Sequence, residues 1–315
     1  PFYAGGIQTK LSYIFSTQKA KDFHTAKQSA IVKVPEAYYT VIPLLKADKE
    51  DYKITMLPYS PGSSIGRVSL PEWKVNGPHV ARYFYSQPFV ELTAPYIPGW
   101  KFAQDFENAQ YDPQWITDLY GLIGVKYIFY HKDAKSDSIE KMEESRKYLE
   151  GVGAIKRITD NEFFTLYQID EKRVFPYVYS TDEQDVFVKS SPEGLSEKVQ
   201  SLWKGASALS YKRPNSKKTV VAVDGLMNRS HVFLNEKYDL LWRAEYVSRD
   251  GKRVELERDE NVKYANAWEI DGNLSGGTIE MYYAPLRLFY LGQWISGITL
   301  LLIVVGAASV LRKKE

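Results

Sequence analysis

Three carboxylates lie close together in the sequence, because Asp105, Glu107 and Asp112 fall within eight residues. Two carboxyl groups several Å apart can act as acid and base on a glycosidic bond. Charged residues are abundant in loops, however, and sequence spacing sets no distance between side chains. Solvated loop residues are therefore the simpler interpretation, and hydrolysis of a glycan is kept as the weaker alternative.

These carboxylates belong to a long stretch of irregular sequence between Tyr59 and Trp115, rich in Pro, Gly and aromatic residues. Loops of this length inside a compact domain are often functional. One arginine near its beginning, Arg67, has the chemistry to meet a lipid phosphate, although a solvated arginine is commoner. We predict substrate contact in this stretch, at Arg67, Trp73, His79, Arg82, Tyr85, Trp100 and Asp105.

Metal and phosphate-loop chemistry is not indicated. The four histidines are dispersed, at 24, 79, 131 and 231, and none forms an HExxH or similar ligand spacing. Zero cysteines exclude thiolate–zinc sites and disulfides. The segment YSPGSSIGR lacks the Lys-Ser/Thr ending of a phosphate loop. We therefore expect no metal and no cofactor, and we assign no catalytic residue.

Two tryptophans, Trp242 and Trp268, lie in strand-like patterns further along the chain. An exposed tryptophan on a sheet can stack on the apolar face of a pyranose, as in lectin-like modules. Their alternation with polar neighbours favours the other interpretation, in which both are core residues.

The charge of the chain argues against nucleic acid as a partner. The formal net charge is +2, and the segment from Arg287 to the end contributes +3 of it. The residues before Arg287 therefore sum to about −1, which provides no basic field to attract a phosphate backbone.

The residues from Leu288 to Leu311 form an uncharged run of 24 residues. As a helix this run would extend roughly 36 Å, enough to cross a hydrocarbon core about 30 Å thick. Tyr290 and Trp294 lie near its first end and a basic cluster follows it, which predicts a cytoplasmic C-terminus. We predict a transmembrane helix at 287–311, a cytoplasmic basic tail at 312–315, and an extracytoplasmic location for residues 1–286.

Two patterns of secondary structure precede this run. Residues 31–180 alternate between helix-like and strand-like segments, which predicts an α/β layer with parallel pairing. Residues 181–286 consist of short strands separated by turn signals such as Asp250-Gly251, which predicts a β-sandwich of jelly-roll type. The predicted fold is thus an α/β layer domain, an all-β jelly-roll-like sandwich and one C-terminal transmembrane helix.

The beginning of the chain leaves two possibilities open. Pro1-Phe2-Tyr3 is not a natural start, and no basic lead with a short apolar region follows it. Either a signal peptide has been removed, or residues 1–30 are a lead-in segment that follows an upstream membrane region.

Several segments in order carry a family resemblance. They are VPEAYYTVIPLL, YKITMLPY, DLYGLIGVKYIFY, EFFTLYQIDEKRVFPYVYS, YDLLWRAEYVSRDGKRVELE, YANAWEI and GTIEMYYAPLRLFYLGQWISGITLLL. In the last one, Tyr283-Ala284-Pro285 leads directly into a helix that begins with Gly292 to Ser296. The chain resembles the C-terminal exterior region and last membrane helix of polytopic GT-C-type membrane glycosyltransferases, such as the YfhO-like proteins and the mycobacterial-type arabinofuranosyltransferases.

The resemblance implies a part of a glycosyltransferase that uses a polyprenyl-phosphate sugar, with its catalytic acidic residues on an exterior loop outside this chain. This part would cap the catalytic membrane domain and bind a glycan acceptor. Its implied partners are the lipid bilayer, a glycan or lipid-linked sugar, and an upstream membrane domain of the same protein. The alternative is a single-pass surface protein that binds carbohydrate or another protein, and a membrane-anchored glycoside hydrolase is a third, weaker possibility.

Overall fold

The structure is a computed structural model, and it describes the following residues: 35–57, 67–70, 75–78, 88–90, 113–132, 146–147, 149–183, 194–223, 226, 229–270, 274 and 276–312. The chain divides into two compact units. The first unit comprises Pro1–Tyr177 and Phe187–Lys204, and the second comprises Val178–Val186 and Gly205–Glu315.

The first unit is built on a mixed sheet of five strands with few helices. Its strands are β1 (Lys53–Leu57), β4 (Phe89–Val90), β5 (Val125–His131), β6 (Ile155–Asp160) and β7 (Phe164–Ile169), in the order β4-β1-β5-β7-β6. β4, β1 and β5 are parallel, as predicted, whereas β7 and β6 pair antiparallel. β1 and β5 are buried along their whole length, which is typical of the continuous apolar strands of a parallel sheet.

Short helices accompany this sheet in the described part of the unit. A 3₁₀ turn at Glu36–Tyr38 and helix α1 (Ile42–Ala47) supply Tyr38, Val41 and Leu45 to the core over β1 and β5. Helix α2 (Pro113–Leu122) is followed by Gly124, which has a φ of 76° and whose N–H donates to the carbonyl of Gly121 at 2.9 Å. Helix α3 (Leu195–Gly205) begins in the first unit.

The predicted long loop is not entirely loop. Within it, β2 (Arg67–Leu70) and β3 (Val75–Pro78) form an antiparallel hairpin, and β4 extends the sheet beside β1. These strands were not predicted because they have two to four residues each, which is too few for an alternating pattern to be recognised.

Among the described residues, the strands of the second unit pair only antiparallel, and the unit is mostly β-sheet with a helix at its C-terminal end. One sheet has the order β10-β11-β16-β13-β14 and the other β15-β12-β8-β9. Their ranges are β8 (Val178–Thr181), β9 (Ser207–Ala208), β10 (Tyr211–Asn215), β11 (Lys218–Ala222), β12 (His231–Leu234), β13 (Trp242–Val247), β14 (Arg253–Glu255), β15 (Asn266–Glu269) and β16 (Thr278–Tyr283). Along β11 and β16 buried residues alternate with less buried ones, as expected for strands with one covered face.

Helix α4 (Pro285–Arg312) follows β16 after one residue and contains the whole uncharged run. The apolar side chains described between Phe289 and Val305 are exposed. Within the part of the chain that the structure describes, no helix combines the length and apolarity that crossing a membrane requires.

Candidate functional site

A cleft of about 350 Å³ in the first unit brings together the groups best suited to bind a ligand. It lies between α2, the segment that follows β7, and α3, and its volume is in the lower range of small-molecule sites. The side chains that line it include Asp118, Arg173, Phe175, Gln200, Trp203 and Lys204.

Asp118 provides a buried negative charge at the base of the cleft. It lies on α2, an otherwise apolar helix, and only 3% of its side chain is exposed. Its carboxylate accepts a hydrogen bond from the guanidinium of Arg173 at 2.9 Å. A carboxylate can be buried when it is paired in this way, because the charge-assisted hydrogen bond offsets part of the lost hydration.

Arg173 is positioned by a tight turn of the backbone. Glu171–Arg173 form one turn of 3₁₀ helix, and the Asp170 side chain caps it by accepting from the backbone N–H of Lys172 at 3.1 Å. About one third of the Arg173 side chain is exposed, so the guanidinium contacts both Asp118 and the open cleft.

Gly121 allows this turn to approach α2 closely. A Cβ atom at this position would lie 2.0 Å from the carbonyl oxygen of Arg173, far inside van der Waals contact. The carbonyl of Gly121 also accepts the backbone N–H of Phe175 at 2.9 Å. Gly121 is the second-to-last residue of α2. Glycine within a helix usually lowers stability, so its presence here is explained by the packing of the turn against the helix.

The opposite wall of the cleft is aromatic. Helix α3 buries Val199 and Leu202 and leaves Trp203 half-buried, next to the fully buried Phe175. The two rings meet edge to face, with centroids 4.9 Å apart and an interplanar angle of 75°. The edge-to-face contact holds the Trp203 ring in one orientation, and part of the ring surface stays accessible.

The cleft therefore combines a half-exposed indole, a charged pair, an amide at Gln200 and an ammonium at Lys204. Such groups bind a ligand with an apolar face and several hydroxyls by stacking and hydrogen bonding. Among the described residues, no cluster of three His, Cys, Asp or Glu side chains could hold a metal ion.

A second charged group lies on the β14-β13-β16-β11 face of the second unit. The guanidinium of Arg253 lies 2.8 Å from Glu245 and 2.9 Å from Glu280, and Lys218 lies 3.0 Å from Glu280. Burial opposes ionisation of Glu280, but the hydrogen bonds from Lys218 and Arg253 outweigh it and lower the pKa of this carboxyl. The charges pair with one another across strands, so we interpret the group as structural.

A buried lysine in β5, Lys126, is also engaged in ion pairs. Its ammonium lies 2.8 Å from Asp48, 2.9 Å from Glu50 and 3.0 Å from Glu171. Burial disfavours the charged form, but the hydrogen bonds to these three carboxylates outweigh it and raise the pKa of Lys126 above its usual range. This network ties the start of β1 to the 3₁₀ turn that carries Arg173.

Most of the residues predicted to contact substrate cannot be placed. Arg67 is the first residue of β2. The others lie outside the described residues: Trp73, His79, Arg82, Tyr85, Trp100 and Asp105, as do the neighbouring carboxylates Glu107 and Asp112. Substrate contact in this stretch therefore stays a prediction.

The core interpretation of the two strand tryptophans is confirmed. Trp242 is 3% exposed and Trp268 is 1% exposed, so neither can stack on a sugar. The cleft residues were missed because they come from three separate segments that have no shared pattern. A single acidic residue inside the apolar helix segment WITDLYGL was the one local signal that pointed to Asp118.

The comparison with solved structures is the one that found similar proteins. No family model and no curated protein matches the chain. A cryo-EM structure of the arabinofuranosyltransferase AftD from Mycobacteria is similar with a TM-score of 0.42 and 10% sequence identity, over 80% of this chain and 30% of that one. A mutant form of the same enzyme is similar with a TM-score of 0.42 and 9% identity, over 89% of this chain and 33% of that one. The chain thus spans about a third of the length of these structures.

Proposed function

We propose that this chain is the extracytoplasmic part of an integral-membrane glycosyltransferase of the GT-C type, and that its cleft binds the glycan acceptor. The observation that carries the proposal is the cleft itself, in which Trp203 offers a stacking surface beside the Asp118–Arg173 pair. Transfer of the sugar from a polyprenyl-phosphate donor belongs, in this proposal, to acidic residues outside this chain.

Two of the segments that resemble this family supply part of the cleft, which supports the proposal; helix α3 with Trp203 lies outside those segments. DLYGLIGVKYIFY forms the second half of α2 and most of β5, and it supplies Asp118 and Gly121. EFFTLYQIDEKRVFPYVYS forms β7 and the 3₁₀ turn and supplies Arg173 and Phe175. The two segments meet at the hydrogen bond from Phe175 to Gly121.

The membrane placement in this proposal rests on the C-terminal helix. The uncharged run of Leu288 to Leu311 lies within α4, and the exposed apolar side chains from Phe289 to Val305 favour a lipid environment. We propose that α4 spans the membrane with residues 312–315 in the cytoplasm and residues 1–286 outside. In the same proposal the strands of the second unit form a jelly-roll-like sandwich, and the exterior region caps an upstream membrane domain.

A single-pass surface protein that binds carbohydrate remains the alternative, because a cleft built for recognition serves either protein. The coding sequence upstream of Pro1 distinguishes the glycosyltransferase from the surface protein. Encoded membrane helices there support the glycosyltransferase, and a signal peptide there supports the surface protein.

The binding proposal is tested with the full chain in detergent micelles on an array of cell-envelope oligosaccharides. We expect binding of at least one glycan, loss of that binding in W203A, and retention in W294A, which removes an exposed tryptophan from α4. Equal binding by W203A and the unchanged chain would show that the cleft is not the glycan site.

A further inference from the structure

The entrance to helix α4 carries an unusual exposed apolar pair. Among the described residues outside α4, three large apolar side chains are exposed: Leu240, Leu241 and Val254. Two of the three are consecutive, and the loop that carries them contacts the residue before α4. The backbone N–H of Ala284 donates to the carbonyl of Leu241 at 2.9 Å.

Hydrogen bonds from Arg258 and to Asp239 hold this loop in place. The guanidinium of Arg258 donates to the carbonyl of Asp239 at 3.0 Å and to that of Trp242 at 2.9 Å. The Asp239 side chain also accepts the backbone N–H of Leu241 at 2.9 Å and the hydroxyl of Tyr283 at 3.1 Å. The two leucines are therefore presented to the outside by fixed contacts on both sides of the loop.

A cationic turn lies on the other side of the same strand end. The backbone N–H of Tyr283 donates to the carbonyl of Lys217 at 3.0 Å. The exposed Lys217 places its ammonium 5.0 Å from the centre of the Tyr283 ring and 5.8 Å from that of Trp242. An aromatic ring with a long basic side chain is the combination that favours the boundary between lipid headgroups and hydrocarbon.

The distance along α4 places these groups at that boundary. Leu288, the first residue of the uncharged run, lies four positions after Ala284. At 1.5 Å per residue this is a rise of roughly 6 Å, comparable to the thickness of the interfacial layer on one side of a bilayer. We propose that Leu240 and Leu241 insert into the outer interface of the phospholipid bilayer, with Lys217 at the headgroup phosphates. This inference rests on the proposal that α4 spans the membrane.

Such a contact would fix how the second unit stands on the membrane. A helix anchor alone leaves a domain free to tilt about the connection between Tyr283 and Pro285. A second, apolar point of contact beside the anchor restricts that tilt, because moving the leucines out of the interface would expose them to water.

The absence of native cysteines makes a direct test practical. The full chain, as single variants L240C, V254C and I295C, is labelled with an environment-sensitive fluorophore. It is then reconstituted into vesicles of phosphatidylethanolamine and phosphatidylglycerol that contain a lipid spin-labelled near its glycerol backbone. Val254 is the matched control because it is about as exposed as the leucines, 46% against 53% for Leu240. Val254 pairs with Tyr246 of β13. Tyr246 lies four residues from Trp242, which is the end of β13 next to the two leucines.

We expect the label at position 240 to shift to shorter emission wavelengths and lose most of its intensity to the spin-labelled lipid, while the label at 254 keeps its intensity. The same result at L241C would exclude an effect of one labelled side chain on the local fold. If the label at 295 is quenched but those at 240 and 241 are not, α4 spans the membrane and the interfacial contact is wrong. If the label at 295 is not quenched either, the membrane span itself is wrong, and this inference falls with it.

Discussion

Replacing Gly121 by alanine tests the packing on which the cleft depends. In an isolated helix, glycine to alanine stabilises by about 1 kcal/mol, so helix propensity alone predicts a more stable protein. The structure predicts the opposite sign. A Cβ atom at position 121 would lie 2.0 Å from the carbonyl oxygen of Arg173 and 2.9 Å from its carbonyl carbon, and both are backbone atoms that cannot rotate away.

The size of the effect follows from three contributions. Overpacking of a buried contact typically costs ~1–3 kcal/mol, and the displaced turn would also weaken the hydrogen bond from Phe175 to Gly121, worth about 1 kcal/mol. The gain in helix propensity offsets only about 1 kcal/mol of this. We therefore expect the free energy of unfolding of the first unit to fall by about 1–3 kcal/mol.

The assay is hydrogen exchange by mass spectrometry at increasing urea concentrations, read on peptides from β5 and β7 so that only the first unit is monitored. G151A is the matched control, since Gly151 is also helical but a Cβ atom added there would meet no other atom within 4 Å. We expect it to be neutral or slightly stabilising. A G121A protein as stable as the unchanged chain would refute the close approach of the 3₁₀ turn to α2, and with it the geometry of the cleft.

Three further outcomes follow from the described contacts. R173A should lower the free energy of unfolding of the first unit by about 2–3 kcal/mol, because the buried carboxylate of Asp118 loses its guanidinium partner; the same exchange assay checks it, and an unchanged value would contradict it. The folded-state pKa of Glu280 lies below the usual value of 4.5. The stability that the ionised Glu280 contributes is therefore present above pH 4.5 and is lost as the pH falls through the lowered pKa. We expect the urea midpoint of the second unit to fall in acid more steeply for the unchanged chain than for E280Q. R258M should speed amide exchange in the peptide that covers residues 239–242, since Arg258 holds both ends of that loop; equal exchange rates would show that other contacts suffice.

Elements with a strong local signal could be predicted from the sequence. β5 is a continuous apolar run, and the helix before it is followed by a glycine; both features are decided by neighbours in the chain, so they agree with the helix-like and strand-like segments predicted for residues 31–180. The strands of the second unit were likewise signalled by their turns. The two-residue β4 was not, because its only reason to be extended is the pairing of Phe89 and Val90 with β1.

The candidate site could not be predicted because its parts are distant in sequence. Asp118 and Arg173 are 55 residues apart, and Trp203 follows 30 residues after Arg173. Nothing local shows that an acidic residue in an apolar helix will meet an arginine from a later turn. The aromatic wall was not predicted, for a related reason. The tryptophans considered as possible sugar contacts lie in clear strand patterns, and they are core residues.

The engagement of the carboxylates in the cleft favours recognition over hydrolysis. A glycosidase needs two carboxyl groups free to exchange protons with the substrate or to attack it, on either side of the glycosidic bond. In the cleft, Asp118 is held in an ion pair with Arg173, and Asp170 accepts the backbone N–H of Lys172 to cap the turn that positions that arginine. Both carboxylates thus serve to hold one guanidinium in place. An arginine fixed in this way beside a half-exposed indole can orient a hydroxylated ligand without reacting with it, which is the role expected of an acceptor site whose chemistry is performed elsewhere.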